Sequence, residues 1–203
     1  MTPLILASSS PRRIELTRLL GFAFDVDPSD VDETIEEATP ETTVCRLAER
    51  KARRVAGRHP QGIVIGADTV VAMGDRILGK PIDRDAAVAA IRSLSGRTHD
   101  VHTGLCVIRG EEIVTDVATT HVTFMPLDEM EIQAYADTDE PYDKAGAYGI
   151  QGKAAVFVDR IEGCYYNVVG LPVSRLYRML RPYRDHLIGS ESPIDVLTAL
   201  RDA

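Results

Sequence analysis

The chain contains a feature suited to anion binding, in which an apolar run at residues 4–7 leads directly into SSSPRR. This pattern predicts a strand, a turn and a helix start capped by Ser10, where unpaired N–H groups and the positive dipole end converge. Ser8 adds a hydroxyl, and Arg12 and Arg13 add forked cationic donors that suit phosphate. The alternative is a simple cap with two solvated arginines. Two cations in a first helical turn are repelled by the positive end of the helix dipole. Their presence therefore favours the interpretation in which a bound anion compensates their charge.

A single acid, Asp68, interrupts the apolar segment GADTVV. An unpaired carboxylate would be costly to bury there, whereas an acid carried into a cleft by the end of a strand can bind a metal or activate water. The alternative is a loop aspartate in a local turn, which Gly66 supports. We favour the functional interpretation, and the sequence does not separate a base from a metal ligand.

Three more charged residues gain meaning only as a set. Glu33 lies in the stretch DVDETIEE, which alone predicts a solvated surface, and Lys51 and Lys80 belong to a residue type that is usually exposed. Together with Asp68 and the serine–arginine turn, they suit phosphoryl chemistry. Carboxylates would hold a divalent cation, the basic side chains would neutralise phosphate charge, and water would attack phosphorus.

The segment AGAYGIQG carries glycine at every third position, at Gly146, Gly149 and Gly152. It does not match the GxxxxGK phosphate loop, a motif that the chain lacks. Two interpretations remain open, a bend between strands or a stretch where backbone approaches a ligand closely. In the second, Gln151 offers an amide that can read the edge of a base.

Composition excludes several classes of function. Of the 203 residues, 23 are Lys or Arg and 31 are Asp or Glu, giving a net charge of −8, and there is no Trp. A general nucleic-acid binder is therefore not expected. The three cysteines are far apart and suggest neither a disulfide framework nor a zinc site. Without a signal sequence or an apolar run of membrane-spanning length, we expect a soluble cytoplasmic protein that does not bind membranes.

Strands and helices are expected to alternate irregularly along the chain. Strands are predicted at residues 4–7, 22–26, 63–65 continuing into GADTVVAM, 76–78 and 99–124. Helices are predicted to start at Ser10, Thr39, Asp83, Asp128 and near Pro172. The apolar face of the first helix is expected at Leu16, Leu19 and Leu20, and the buried stripe of the second at Val44, Leu47, Ala48, Ala52 and Val55. This order predicts an α/β fold with a curved mixed sheet, surrounding helices and a central cleft. We expect one catalytic domain over residues 1–183, in which two lobes could lie around the cleft. A polar tail with a weak helical patch is expected over 184–203.

The motifs are specific enough to carry a family resemblance. LILASSSPRR, the acidic loop, GADTVV, LGKP, LSGRTHDVHTG and DKAGAYGIQG with YYNVVGLP occur in the order typical of Maf nucleotide pyrophosphatases. The chain resembles that family from residue 4 to about 183. The resemblance implies a fold similar to the inosine triphosphate pyrophosphatases, hydrolysis between the α- and β-phosphates, a divalent cation (Mg²⁺ or Mn²⁺) and often a homodimer.

The resemblance also implies roles for individual residues. Asp68 would accept a proton and, with Glu33, bind the metal. The phosphate-binding residues would be Ser8, Arg13, Lys51 and Lys80. Arg12, Thr69 and Gln151 match the branch of the family that acts on dTTP and UTP.

Three alternatives to a dTTP/UTP pyrophosphatase remain open. One is a non-catalytic nucleotide-binding regulator, in keeping with the family's link to septum formation and cell division. Another is the branch that acts on 7-methyl-GTP, although that branch lacks AGAYGIQG and NVVGLP. The third is a nucleotidyl transferase, which would need a second substrate in place of water.

Overall fold

One mixed β-sheet runs through the computed structural model, which describes residues 2–34 and 39–187. Its seven strands are β1 (Leu4–Leu6), β2 (Asp25–Val26), β3 (Ile63–Met73), β4 (Arg76–Leu78), β5 (Thr98–Arg109), β6 (Glu112–Phe124) and β7 (Val158–Glu162). The strand order is β2-β1-β3-β5-β6-β7, and β4 pairs with β3. β1 is parallel to both of its neighbours, whereas the remaining pairs are antiparallel. The predicted mixed sheet is therefore confirmed.

Six α-helices surround this sheet within the described part of the chain. They are α1 (Pro11–Arg18), α2 (Pro40–Ala56), α3 (Arg84–Leu94), α4 (Glu129–Ala136), α5 (Tyr165–Val169) and α6 (Val173–Leu180). The residues at four predicted helix starts, Ser10, Thr39, Asp83 and Asp128, are N-caps whose side chains each accept a backbone N–H from three residues further on. Local capping chemistry thus located these helix starts correctly. Helix α5 was not predicted, because it is only five residues long and has no capping side chain.

Helix α2 lies unusually close to the sheet because two strand positions are glycine. A Cβ on Gly66 would lie 2.1 Å from the carbonyl oxygen of Ala48, and one on Gly104 would lie 2.3 Å from the backbone of Val44. The predicted apolar stripe of α2 is fully buried against β3 and β5. This close packing brings the middle of α2, including Lys51, onto the centre of β3.

Two local predictions were wrong. The strand expected at residues 22–26 shrinks to Asp25–Val26, since Phe22 and Phe24 pack on the core as part of an irregular segment. Leu19, expected on the buried face of α1, is 52% exposed because the helix ends at Arg18. In both cases the apolar residues are spaced as in a regular strand or helix, but the backbone is not a strand or helix over the whole predicted range.

The chain returns to its start after α6. A 3-10 helix at Arg181–His186 is followed by Leu187, which is buried and pairs with Thr2. The predicted division between a domain ending at 183 and a tail stays a prediction. The helical patch expected near the end of the tail lies outside the described residues. Within residues 2–34 and 39–187, no helix has the length and apolar character needed to cross a membrane.

Candidate active site

A cavity of about 1110 Å³ opens beside the middle of β3. All nine residues singled out from the sequence line it: Ser8, Arg12, Arg13, Glu33, Lys51, Asp68, Thr69, Lys80 and Gln151. They come from the first turn, the acidic loop, α2, β3, the segment after β4 and the glycine-rich segment. The fold therefore brings together residues that lie up to 143 positions apart in the chain, from Ser8 to Gln151.

Lys51 is the centre of the charged cluster. Its Nζ lies 2.6 Å from Asp68 Oδ1 and 2.6 Å from Glu33 Oε1. Lys51 and Asp68 are both buried. Asp68 lies midway along β3 and pairs with Gly104, so the predicted continuation of the strand from residues 63–65 into GADTVVAM is confirmed. A buried carboxylate at this position is tolerated because the ammonium of Lys51 compensates its charge.

Glu33 reaches the cluster from the acidic loop, which was expected from its composition to be solvent-exposed surface. The hydrogen bond from Lys51 holds the pKa of Glu33 below its ordinary value, and the positive charges of Lys80 and Arg13 act in the same direction. Glu33 is therefore ionised at neutral pH. Lys80 is exposed on the cavity wall, where its charge can meet an anion.

The donor set fits a divalent cation that is shared with a substrate. Mg²⁺ in phosphate-handling sites is commonly held by one or two carboxylates, with substrate oxygens and water completing its coordination. The carboxylates of Glu33 and Asp68 meet at the same ammonium, so they are close enough to act together. Among the described residues, no group of three or more His, Cys, Asp or Glu side chains could hold a metal by itself.

Arg13 is tied to the protein more firmly than the sequence suggested. Its Nε donates to the carbonyl of Gly170 at 3.0 Å, and its Nη2 donates to Thr69 Oγ1 at 3.1 Å. Thr69 Oγ1 also lies 2.9 Å from Thr103 Oγ1. Burial lowers the pKa of Arg13. A guanidinium carries five N–H groups, so donors remain for an anion after these contacts.

The rest of the serine–arginine turn faces the same cavity. Ser8 Oγ accepts the backbone N–H of Ser10 at 3.2 Å, which leaves its hydroxyl hydrogen for another acceptor. Arg12 lies 3.5 Å from the carboxylate of Asp143. Asp143 opens the motif DKAGAYGIQG, but sequence reasoning gave it no role, because it meets Arg12 only in the folded chain.

The three regularly spaced glycines make room for the protein's own side chains. A Cβ on Gly146 would lie 2.8 Å from the side chain of Val71, one on Gly149 would lie 2.7 Å from Lys144, and one on Gly152 would lie 2.3 Å from Glu140. These close neighbours are side chains of the protein itself, so the expected close approach of this backbone to a ligand stays a prediction. The segment is also not a bend between strands, since its first three residues, Ala145–Ala147, form a 3-10 helix and a second 3-10 helix, Lys153–Phe157, follows it.

Comparison with known proteins agrees with this geometry. The family model described as Maf-like protein matches residues 3–183. This chain belongs to the Maf family. It is 51% identical over 187 residues to the dTTP/UTP pyrophosphatase of Desulforamulus reducens, covering 90% of this chain and 97% of that protein. The dTTP/UTP pyrophosphatase of Bacillus cytotoxicus is 50% identical over 184 residues, covering 90% and 96%.

A solved structure supports the predicted fold of this Maf-family chain. A HAM1 protein from Coxiella burnetii superposes with a TM-score of 0.50 at 14% sequence identity, covering 90% of this chain and 100% of that one. At this identity the likeness concerns the fold alone. The expected likeness to the inosine triphosphate pyrophosphatase fold, which is the fold of Ham1 proteins, is confirmed.

Proposed function

We propose that this protein hydrolyses dTTP and UTP to the monophosphate and pyrophosphate. The observation that carries the proposal is the cluster of Glu33, Lys51 and Asp68, which shares one cavity with the serine–arginine turn. Such a cavity combines groups for metal, water and phosphates. Relatives about half identical to this chain, named dTTP/UTP pyrophosphatases, support the same reaction and substrates.

In the proposed mechanism, Asp68 accepts a proton from a water molecule. Asp68 Oδ1 is bound by Lys51, which orients the carboxylate and leaves its other oxygen for the water. The water oxygen attacks the α-phosphorus, the bond from that phosphorus to the α–β bridging oxygen breaks, and pyrophosphate leaves. A divalent cation held by Glu33 and Asp68 would neutralise negative charge on the phosphates.

The basic residues of the cavity are proposed to bind the phosphates. Ser8 and Arg13 would meet the triphosphate at the first turn, and Lys51 and Lys80 would meet it from other parts of the cavity wall. Preorganised cations of this kind stabilise the charge that develops in the transition state. Asp68 acting mainly as a metal ligand is the alternative to its role as base.

Base selection is proposed to depend on three other residues of the cavity. Arg12, Thr69 and Gln151 would set the preference for dTTP and UTP. Thr69 contacts Arg13 directly, so it lies between the phosphate-binding turn and the rest of the cavity. Gln151 is exposed on the wall of the cavity, where its amide is free to meet a base edge.

The test is pyrophosphate release from dTTP, UTP, dCTP, dATP and 7-methyl-GTP, each with Mg²⁺, Mn²⁺ or EDTA. We expect release from dTTP and UTP in the presence of metal, with water as the acceptor. The near-isosteric Asp68→Asn variant should bind nucleotide but react about 10²–10⁴-fold more slowly. Nucleotide binding without turnover would favour a non-catalytic regulator. A preference for 7-methyl-GTP would favour the other branch of the family. A requirement for a second substrate would favour a nucleotidyl transferase.

Assembly and location are separate proposals that rest on the sequence. A homodimer is expected from the family resemblance, and light scattering coupled to size-exclusion chromatography tests it by mass. A cytoplasmic location suits an enzyme that acts on free nucleotides, and cell fractionation tests it. A monomer at micromolar concentration, or recovery outside the cytoplasmic fraction, would contradict these expectations without affecting the proposed reaction.

A further inference from the structure

Glu140 lies behind the turn that carries Gln151, and its carboxylate is held by three donors. Oε2 accepts the backbone N–H of Lys153 at 2.8 Å, and Oε1 accepts the N–H of Ala154 at 3.4 Å. Oε1 also accepts a hydrogen bond from the hydroxyl of Tyr135 at 3.0 Å. The carboxylate therefore joins the buried Tyr135 of α4 to the backbone immediately after Gln151.

The two backbone N–H groups that Glu140 accepts lie at the start of the 3-10 helix Lys153–Phe157. N–H groups at a helix start have no partner within the helix, and this helix has no side-chain cap of its own. Glu140, thirteen residues away, satisfies them instead. Hydrogen bonds to an ionised carboxylate are stronger than those between neutral groups, so this contact fixes the start of the helix.

Gln151 lies two residues before the N–H group of Lys153 that Glu140 accepts. The N–H of Gly152 donates to the carbonyl of Gly149 at 3.0 Å, so Gln151 lies within a tight turn between two glycines. Glycine allows the backbone wide freedom, and such a turn needs an external anchor to keep one conformation. A Cβ on Gly152 would lie 2.3 Å from the Glu140 carboxylate, which shows how closely the anchor lies beneath the turn.

The same short segment also reaches Arg12. Lys144 Nζ donates to the carbonyl of Glu140 at 2.8 Å and contacts the carboxylate of Asp143. Asp143 in turn pairs with Arg12. Two of the three residues proposed to select the base are thus held by contacts within residues 140–144. Glu140 differs from Asp143 because it is partly buried and bound by backbone donors, whereas Asp143 is exposed.

We propose that Glu140 is a positioning residue for base recognition, which acts by holding the Gln151 turn in place through the N–H groups of Lys153 and Ala154. The inference rests on the proposed function and adds a residue that no motif identified. Glu140 lies on the wall of the cavity but is committed to the protein backbone, so it acts on the substrate only through Gln151.

The test compares Glu140→Gln with the parent on dTTP, UTP and dCTP in the presence of Mg²⁺. A glutamine offers a weaker acceptor and directs N–H groups toward donors, so the turn should loosen. We expect kcat/KM for dTTP and UTP to fall about 10-fold, mainly through KM, and the preference over dCTP to fall with it. Glu131→Gln is the matched control, because Glu131 also accepts a backbone N–H but lies on α4 away from the cavity.

A double-mutant cycle separates positioning from general destabilisation. If Glu140 acts through Gln151, then Glu140→Gln should change kcat/KM less than about twofold in a Gln151→Ala background. Hydrogen exchange should show faster exchange at the amides of Lys153 and Ala154 in Glu140→Gln, whereas Glu131→Gln should leave them unchanged. Additive losses in the cycle, or unchanged exchange at those amides, would overturn the inference.

The outcomes also distinguish this inference from the proposed function. A parent protein that releases pyrophosphate from neither dTTP nor UTP would remove the proposed function and the inference with it. A parent active on both nucleotides, with a Glu140→Gln variant of equal kcat/KM and equal preference over dCTP, would overturn the inference alone.

Discussion

Lys51 Nζ and Asp68 Oδ1 lie 2.6 Å apart, and each of the two residues is only 7% exposed. The pair joins the centre of α2 to the centre of β3, and it exists because Gly66 and Gly104 let the helix lie close to the sheet. Removing either partner alone should therefore affect stability as well as activity.

Lys51→Met should leave the Asp68 carboxylate buried without its partner. We expect unfolding free energy to fall by about 1–3 kcal/mol and kcat to fall about 100-fold or more. Urea denaturation and pyrophosphate release measure the two effects. Arg54→Met, which removes a charge from the exposed face of the same helix, should change neither appreciably.

Lys51→Met combined with Asp68→Asn should recover part of the lost stability, because the uncompensated charge is then absent. Activity should stay as low as in Asp68→Asn alone. A double variant that is no more stable than Lys51→Met would show that the ion pair does not account for the loss.

Arg13→Lys tests whether the forked geometry of Arg13 matters beyond its charge. A lysine cannot bind both Gly170 and Thr69 while presenting further donors to phosphate. We expect kcat/KM for dTTP to fall about 10-fold or more, by analogy with the loss of hydrogen bonds to a charged group. Arg18→Lys, at the exposed end of α1, is the control. Parental kinetics in Arg13→Lys would mean that charge alone suffices.

Gly104→Ala should separate α2 from the sheet. The new Cβ would lie 2.3 Å from the backbone of Val44, and backbone cannot move aside as a flexible side chain can. We expect a loss of about 1–3 kcal/mol in unfolding free energy and a clear loss of activity, since Lys51 moves with the helix. Gly57→Ala is the matched control, because its nearest contact would be an ordinary 3.8 Å. Equal stability of the two variants would exclude tight packing at Gly104.

His99 should make stability depend on pH. Burial lowers its pKa from 6.5 to about 4, and its Nε2 lies 2.8 Å from the hydroxyl of Tyr148. Between these two pH values the unfolded chain binds more protons at His99 than the folded chain does. The contribution of His99 to the free energy of unfolding is therefore fully present above pH 6.5 and is lost as the pH falls toward 4. The whole change is about 3 kcal/mol.

Urea denaturation across pH 4–7 measures this dependence. His99→Gln should flatten the slope in that window whatever its absolute stability, because glutamine does not titrate. His186→Gln, at an exposed position, should keep the parental slope. An unchanged slope in His99→Gln would assign the pH dependence to other groups.

Local features of the sequence determined much of the fold. Caps at Ser10, Thr39, Asp83 and Asp128 marked helix starts correctly because a cap involves only residues a few positions apart. Apolar periodicity identified most of the buried stripe of α2 and the strand β3 for the same reason. All nine residues singled out from the sequence line the cavity, although the roles of those residues stay predictions.

Only the tertiary structure decided which of these side chains meet. Arg13 and Gly170 are 157 positions apart and Lys51 and Asp68 are 17 apart, so no local pattern encodes either contact. The pairing of Asp68 with Gly104 depends on how β3 and β5 align, and Glu140 gains its place only when the chain folds back to Lys153. Such contacts depend on how strands pair and how closely helices pack, which neighbouring residues in sequence do not specify.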